Sequence, residues 1–543
     1  MTVSPPLPAP GSFRLGAAGD EAIVTARRRR RPAALLGASV LVLAVLALPL
    51  VFLLTEADGA GASNVWHLIW RSLTASLLWN TVRLTVVVTV LCAVIGTLAA
   101  YGVERTDLPG RRIWAVLVVV PFAIPDFVVS FGWSSLSTWV QGYRGAVLVM
   151  TLAVYPLVYL PVAASLRGAD PGQEEIARSL GASGLSTFFR VTLGQARRAI
   201  LGGCLLVALV ILAEYGAFEI LGFQTFTTEI FTEFDIGSTS TACALSLVLV
   251  LLSLVVLVGE TSSRGGGRVS RVGSGAQRVT PRKRLGRMSL PVLVGYGLLV
   301  VAALGVPIGS CVYWIFEGGA SDIVGVSLGS ATLYTALYGL SAALVATAMA
   351  LPLALLVVRH PGRVHLLLER TTFLVLAIPG LVVALALSYF STHYADSFGY
   401  QTAPLLVLAY AIMFFPLALV CVRTSLVQSP VALEEVASSL GVRRLPALLR
   451  VTLPLIAPGI GAAFCLVFLS AVTELTATLI LIPTNAETLA TQFWAYQQNL
   501  SYGQAAPFAL VIIAIAALPS YVLGRFFDRL PRRGTAQAPV VIT

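Results

Sequence analysis

The chain has 543 residues, of which 57% are hydrophobic and only 11% are charged, and its mean hydropathy is +0.88. A water-soluble fold cannot bury so large an apolar fraction, so the composition predicts a polytopic membrane protein. The formal net charge of +11 does not indicate a nucleic-acid-binding protein, because the arginines cluster between apolar segments and not along one face.

The N-terminal segment differs in composition from the rest of the chain. Residues 1–32 are rich in Pro, Gly and Ala and end in a run of arginines, so we expect a disordered basic tail. The apolar stretch 33–54 is long enough to span a bilayer. We expect an uncleaved first helix with its N-terminus in the cytoplasm; a cleaved signal peptide and a twin-arginine export signal are the alternatives.

Further apolar stretches of about twenty residues or more predict about twelve transmembrane helices in all, and therefore an all-α fold. They lie near residues 80–104, 113–135, 145–166, 198–222 and 238–259, and then near 289–314, 328–358, 368–391, 403–424, 456–482 and 506–528. The arginine-rich segment 261–287 separates the two halves as a predicted cytoplasmic linker. We therefore expect a first six-helix repeat over 33–260, a second over 288–530 and a C-terminal tail over 531–543.

The distribution of charge along the chain predicts one orientation in the membrane. Basic residues occur in the loops after Arg105 and Arg359, in the linker and at the C-terminal end, whereas intervening loops carry acidic residues such as Glu229 and Glu487. By the positive-inside rule, both termini and the linker face the cytoplasm.

One polar stretch occurs twice along the chain. The matched positions, 260 residues apart, are Glu174 and Glu434, Glu175 and Glu435, Ala177 and Ala437, and Gly181 and Gly441. Paired glutamates suit the positive N-terminal end of a short helix, and glycine, which adopts a left-handed backbone at low cost, suits its end. Each copy therefore predicts a short helix, a sharp turn and a second helix.

This pattern, Glu-x-Ala-x-x-x-Gly followed by Leu-Pro, resembles the coupling loop of permease subunits of bacterial ATP-binding-cassette importers. The first copy departs from it at Gly194, where the second copy has Pro454. The resemblance implies that the eight matched residues dock on a separate ATPase subunit, expected as a homodimer, and that an extracytoplasmic solute-binding protein delivers the substrate. A duplicated polar connector is the alternative, although a connector needs no repeated sequence.

A matched pair of carboxylates lies inside predicted spans, where ionisable side chains are costly. Glu214 and Glu474, again 260 residues apart, occupy the fifth span of their half. One hypothesis is that they line or gate a path for a cationic substrate. The alternative is a structural carboxylate that is hydrogen-bonded to a neighbouring helix.

The halves match at prolines as well. Pro125 answers Pro379, and Pro156 answers Pro416. Because proline inside a helix removes a backbone donor, these pairs predict paired bends. Matching order along both halves predicts two parallel repeats around a shared path.

The segments around Glu474 and Glu487 resemble fused two-half permeases for ferric iron, a resemblance that covers most of residues 80–528. It implies a ferric-iron substrate, while permeases for thiamine, polyamines and phosphonates share the architecture and remain alternatives. A free-standing secondary transporter is the alternative of another class, because it would also have parallel halves and buried carboxylates. The duplicated docking stretch argues against it, since such a transporter has no ATPase to meet.

Several absences narrow the function. Lys283 is the chain's single lysine and lies between two arginines, so the sequence has no nucleotide-binding phosphate loop. We therefore expect ATP to bind to the partner subunit, no cofactor in this chain and no enzymatic activity. The four histidines are scattered and the six cysteines lie in apolar runs, so neither a metal site nor a disulfide is predicted. The expected location is a bacterial cell membrane.

Overall fold

The computed structural model describes residues 33–59, 66–68, 70–263, 282–318, 322–360, 375, 377–394 and 399–529. These residues are mostly helical, and a single β-bridge among them joins Thr106 to Lys283. The prediction of an all-α fold is confirmed. The predicted N-terminal tail, most of the linker and the C-terminal tail lie outside the described residues.

Each half contains long apolar helices joined by shorter ones. The helices of the first half are α1 (Ala33–Gly59), α2 (Ser72–Arg105), α3 (Arg111–Leu117), α4 (Asp126–Ser134), α5 (Gly142–Val154), α6 (Pro156–Gly168), α7 (Pro171–Ser179), α8 (Gly184–Thr187), α9 (Leu193–Ala213), α10 (Gly216–Ile220), α11 (Phe226–Asp235) and α12 (Thr239–Ser263). Those of the second half are α13 (Ser289–Val300), α14 (Val306–Gly318), α15 (Asp322–Arg359), α16 (Gly380–Tyr394), α17 (Ala403–Gln428), α18 (Val431–Ser439), α19 (Arg444–Ala447), α20 (Leu453–Val472), α21 (Thr476–Leu481), α22 (Leu489–Gln498) and α23 (Tyr502–Arg529).

Ten helical segments among the described residues are long and apolar enough to cross a membrane, and a sharply bent pair would make eleven. A polytopic membrane protein is therefore confirmed, but a count of twelve spans is not. The remaining predicted span, 368–391, begins outside the described residues, and its described part is α16.

Three predicted spans are interrupted within the bundle. The predicted span 113–135 bends by 92° between residues 111–123 and α4, because Pro125 has no N–H to donate and restricts the residue before it to extended backbone. The predicted spans 198–222 and 456–482 are also wrong as continuous helices, since α9 ends at Ala213 and α20 at Val472. Apolar composition continues across both ends, which is why the interruptions are not visible in hydropathy.

The central helices of the two halves pack alike. α2, α6 and α9 pack on one another, and so do α15, α17 and α20. Small residues permit the close approach of helices: a Cβ atom at Gly203 of α9 would lie 2.7 Å from the backbone of Val158 in α6. The paired prolines differ, because Pro156 begins α6 directly after Tyr155, whose backbone is still helical, whereas Pro416 lies inside α17.

The outer helices cross between the halves. One hydrophobic cluster joins α2, α6 and α9 to second-half residues such as Cys311 of α14 and Phe508 of α23. The other joins α15, α17 and α20 to first-half residues such as Leu46 of α1 and Leu249 of α12. Each core is therefore built from both halves. The predicted linker 261–287 separates the two sequence repeats, but it does not separate the two cores.

Candidate coupling and translocation sites

Each copy of the repeated stretch forms a short helix that ends at a left-handed glycine. The carboxylate of Asp170 caps α7 by accepting a hydrogen bond from the Gly172 amide at 3.0 Å, whereas α18 follows Pro430 without a side-chain cap. Gly181 has a φ of 85° and Gly441 a φ of 79°. A Cβ atom at either position would meet nothing within 4 Å, so the backbone conformation alone favours glycine there.

The two alanines of the pattern lie where each short helix turns. The carbonyl of Ala177 accepts a hydrogen bond from the Ala182 amide at 3.0 Å, and Ala437 accepts one from Val442 at 3.0 Å. These bonds close the helix end around the glycine. Ala437 is buried and Ala177 is half-buried, so a larger side chain would be constrained at both positions.

The paired glutamates of the first copy have different surroundings. Glu174 is buried, and its carboxylate lies 3.3 Å from the guanidinium of Arg105. The same carboxylate accepts a hydrogen bond from the Thr192 hydroxyl at 2.9 Å. Glu175 is exposed, so it is the member of the pair that a partner protein can reach.

The second copy repeats this arrangement. The carboxylate of Glu434 lies 2.8 Å from the guanidinium of Arg359 and accepts a hydrogen bond from the Thr452 hydroxyl at 3.1 Å. Glu435 is exposed. Sequence reasoning missed the pairing of both arginines with the glutamates, because the partners are 69 and 75 residues apart along the chain and only the fold brings them together. The shared position of the arginines, at the end of a long apolar helix, is the signal that could have found them.

Large apolar side chains are exposed around both short helices, and sequence reasoning missed these as well. We call them the docking faces: Ile176, Leu180, Leu185 and Phe189 in the first copy, and Val436, Leu440, Leu445 and Leu449 in the second. Each side chain is between 51% and 82% exposed, and matched members are 260 residues apart. Clustered exposed apolar residues on a polar loop are typical of protein–protein contact sites.

The matched glutamates Glu214 and Glu474 cap short helices at the interruptions. The Glu214 carboxylate accepts a hydrogen bond from the Ala217 amide of α10 at 2.8 Å, and the Glu474 carboxylate accepts one from the Ala477 amide of α21 at 3.1 Å. The Glu474 carbonyl also accepts a hydrogen bond from the Thr478 hydroxyl at 2.7 Å. Both glutamates are half-buried residues, so a helix-capping role and a lining role are compatible.

The two interruptions meet where the halves contact each other. A Cβ atom at Gly216 would lie 2.7 Å from the side chain of Leu475, which shows how closely the backbone approaches the other half. Glu214 lies within electrostatic range of Glu474 and of Asp126 at the start of α4. In the second half the residue answering Asp126 is Gly380. Among the described residues, no three His, Cys, Asp or Glu side chains are grouped to hold a metal ion.

An all-helical membrane bundle with two matched halves, two matched docking faces and paired helix breaks defines a transport permease. The chain belongs to the family described as binding-protein-dependent transport system inner membrane components, whose family model matches residues 92–259 and 346–535. It is therefore a multi-pass inner-membrane transport protein and belongs to a family of transporter subunits.

Known relatives within this family differ in their named substrates. The chain is 35% identical over 485 residues to the Fe(3+)-transport system permease protein FbpB 2 of Haemophilus influenzae, covering 89% of this chain and 96% of that protein. It is 22% identical over 464 residues to the ferric transport system permease protein FbpB of Actinobacillus pleuropneumoniae, covering 77% and 66% of the two chains. It is also 31% identical over 239 residues to the sulfate transport system permease protein CysW of Synechocystis, covering 39% of this chain and 85% of that protein.

Proposed function

We propose that this chain is the membrane-spanning subunit of an ATP-binding-cassette importer. The observation that carries the proposal is the pair of docking faces, each an exposed apolar surface beside an exposed glutamate, Glu175 or Glu435. Two matched faces suit a partner with two-fold symmetry, such as an ATPase homodimer. That partner would bind the ATP, the docking faces and both termini would face the cytoplasm, and an extracytoplasmic solute-binding protein would deliver the substrate.

Ferric iron is the substrate that we propose. The relative that matches 89% of the chain is named for ferric iron, whereas the sulfate permease matches 39% of it. Asp126, Glu214 and Glu474 place three carboxyl groups near the helix breaks, and carboxyl oxygens suit a cation better than an oxyanion such as sulfate. Thiamine, polyamines and phosphonates remain competing substrates.

An uptake assay tests this proposal directly. The permease would be produced with its ATPase and solute-binding protein in cells that lack their own ferric importer, and radioactive iron and sulfate uptake would be measured in parallel. We expect iron uptake that stops when ATP is depleted or the ATPase gene is deleted. Sulfate uptake without iron uptake would contradict the proposed substrate, and uptake independent of the ATPase would support a secondary transporter.

Glu474→Gln tests whether the carboxylate charge takes part in transport. Glutamine keeps a side-chain oxygen that can accept the Ala477 amide hydrogen bond, so the cap of α21 should survive while the charge is lost. We expect unchanged co-purification of the ATPase and basal ATP hydrolysis, with iron uptake reduced about tenfold, or about 1.4 kcal/mol in activation free energy. The matched control is Glu474→Ala, which removes both charge and cap and should also lower assembly; normal uptake by Glu474→Gln would assign Glu474 a capping role only.

A further inference from the structure

The buried ion pair beside each docking face joins three separate elements. We call these groups the first triad, Arg105, Glu174 and Thr192, and the second triad, Arg359, Glu434 and Thr452. Each arginine is the last residue of a long helix, α2 or α15, and each glutamate lies in the short helix, α7 or α18. Each threonine ends a π-helical turn, Phe188–Thr192 or Leu448–Thr452, that leads into α9 or α20.

Burial makes these ion pairs unusual for groups next to an exposed face. The side chains of Arg105 and Glu174 are 3% and 8% exposed, and those of Arg359 and Glu434 are 8% and 19% exposed. Among the described residues the Arg105 guanidinium has no hydrogen-bond partner, so its ion pair with Glu174 is what offsets its charge. A buried ion pair is a poor source of stability compared with apolar packing, but it fixes the relative position of the elements that it joins.

The elements held by each triad lead to the carboxylate breaks. α9 follows Thr192 directly and ends at Ala213, beside Glu214, and α20 follows Thr452 and ends two residues before Glu474. A helix of this length is a stiff connection of about 30 Å. π-Helical turns are rare and often lie at functional sites, and here the same turn appears in both halves. Because α9 and α20 are the helices that lead to the breaks, a displacement of the short helix reaches a break only if the short helix moves together with α9 or α20.

We propose that the two triads are positioning residues that make each short helix move as one unit with the long helices beside it. This inference rests on the proposed function, since the force would come from an ATPase bound to the docking faces. In the first copy, hydrogen bonds from the Gln195 side chain of α9 to Gln173 at 2.9 Å and to the Asp170 carbonyl at 3.3 Å also join the short helix to the bundle, whereas leucines occupy the matched positions 433 and 455. Without the second triad, α18 is joined to the bundle through backbone that includes Ser429 on one side and the left-handed Gly441 on the other. The partner could then still bind, but its movement would be lost in these connections.

The second triad gives the sharper test. In the first copy Arg178 also lies 3.9 Å from Glu174, whereas Ser438 occupies the matched position in the second copy. The variants are Arg359→Glu, Glu434→Arg and the exchange that combines both. Either single change places like charges together, and the exchange restores an opposite pair without altering the exposed residues of the docking face.

We expect both single variants to co-purify with the ATPase as the wild type does. Uptake per ATP hydrolysed should fall at least about fivefold, within the range typical of coupling between sites, and the exchange should recover most of it. A purely structural role would lower abundance and ATPase binding in parallel. The proposal is overturned by a wild-type transport ratio in the single variants, by loss of ATPase binding in them, or by an exchange no better than the singles.

Wild-type permease separates this failure from failure of the proposed function. If the wild type neither binds the ATPase nor transports, the proposed function is wrong. Whether the triad fixes the position of the short helix is then tested in purified permease without its partners. Hydrogen exchange over residues 431–452 should be faster in the single variants and slower again in the exchange. Equal exchange rates in all forms would overturn the triad as a positioning device.

Discussion

At Gly441 the backbone alone, and not the available space, makes glycine necessary. Its φ of 79° is left-handed, and a Cβ atom there would meet nothing within 4 Å. We expect Gly441→Val to cost about 1 to 2 kcal/mol locally and to abolish co-purification of the ATPase by turning α19 away from α18. Gly441→Asn is the matched control, because asparagine adopts this conformation more readily. A pull-down in which both variants recover the ATPase would argue against the docking assignment.

Leu500 shows the opposite situation, a non-glycine residue held in a left-handed conformation. Its φ is 57°, and the matched turn of the first half has Gly237 with a φ of 83°. The side chain of Leu500 is 71% exposed, so little packing offsets the strain. We therefore expect Leu500→Gly to raise the unfolding temperature and Gly237→Leu to lower it, each by the equivalent of about 1 kcal/mol.

Thermal unfolding of the two purified variants in one detergent checks this expectation. The reciprocal design controls for the turn itself, since the backbone hydrogen bond from residue 500 to Gln497 has a counterpart from Gly237 to Phe234, both at 3.0 Å. A lower unfolding temperature for Leu500→Gly would mean that the exposed leucine contributes contacts that outweigh its backbone strain.

At the scale of helices, the sequence was most informative where a pattern is local. The short helices α7 and α18 and their glycine ends follow from residue type and spacing within ten positions. The ends of α9 and α20 could not be located, because apolar residues continue past Ala213 and Val472 and only the capping contacts of Glu214 and Glu474 mark the break. Whether a buried glutamate caps a helix depends on backbone geometry that hydropathy does not report.

The triads illustrate a second limit of sequence reasoning. A fixed spacing of 260 residues identified the glutamates, but the arginines that hold them are 254 residues apart. The halves therefore differ in length between these landmarks, as the matched prolines Pro125 and Pro379, also 254 residues apart, already indicate. The ion pair between each arginine and its glutamate is a tertiary contact. It becomes visible only once the end of α2 is placed beside α7, and the end of α15 beside α18.

At the scale of the whole molecule, the orientation in the membrane is open to a labelling test. In a variant without native cysteines, single cysteines at Ser183 or Arg443, both exposed beside the docking faces, should react with impermeant thiol reagents only in inverted vesicles. Asp235 ends α11 and Asn499 follows α22, and both are exposed on the side of the membrane that is predicted to face outward. Single cysteines at these two positions are the controls and should react in intact cells. Labelling of Ser183→Cys from outside intact cells would contradict the predicted orientation.

During synthesis, α1 enters the membrane long before the helices on which it packs. Leu46 of α1 belongs to the same cluster as Ala346 of α15, about 300 residues later, so α1 waits on the order of 15 to 60 s for that partner at ordinary translation rates. The first-half core is likewise incomplete until residues such as Phe508 have been made. Completion of the first-half core is therefore a late event in biogenesis, because it waits for the insertion of α23.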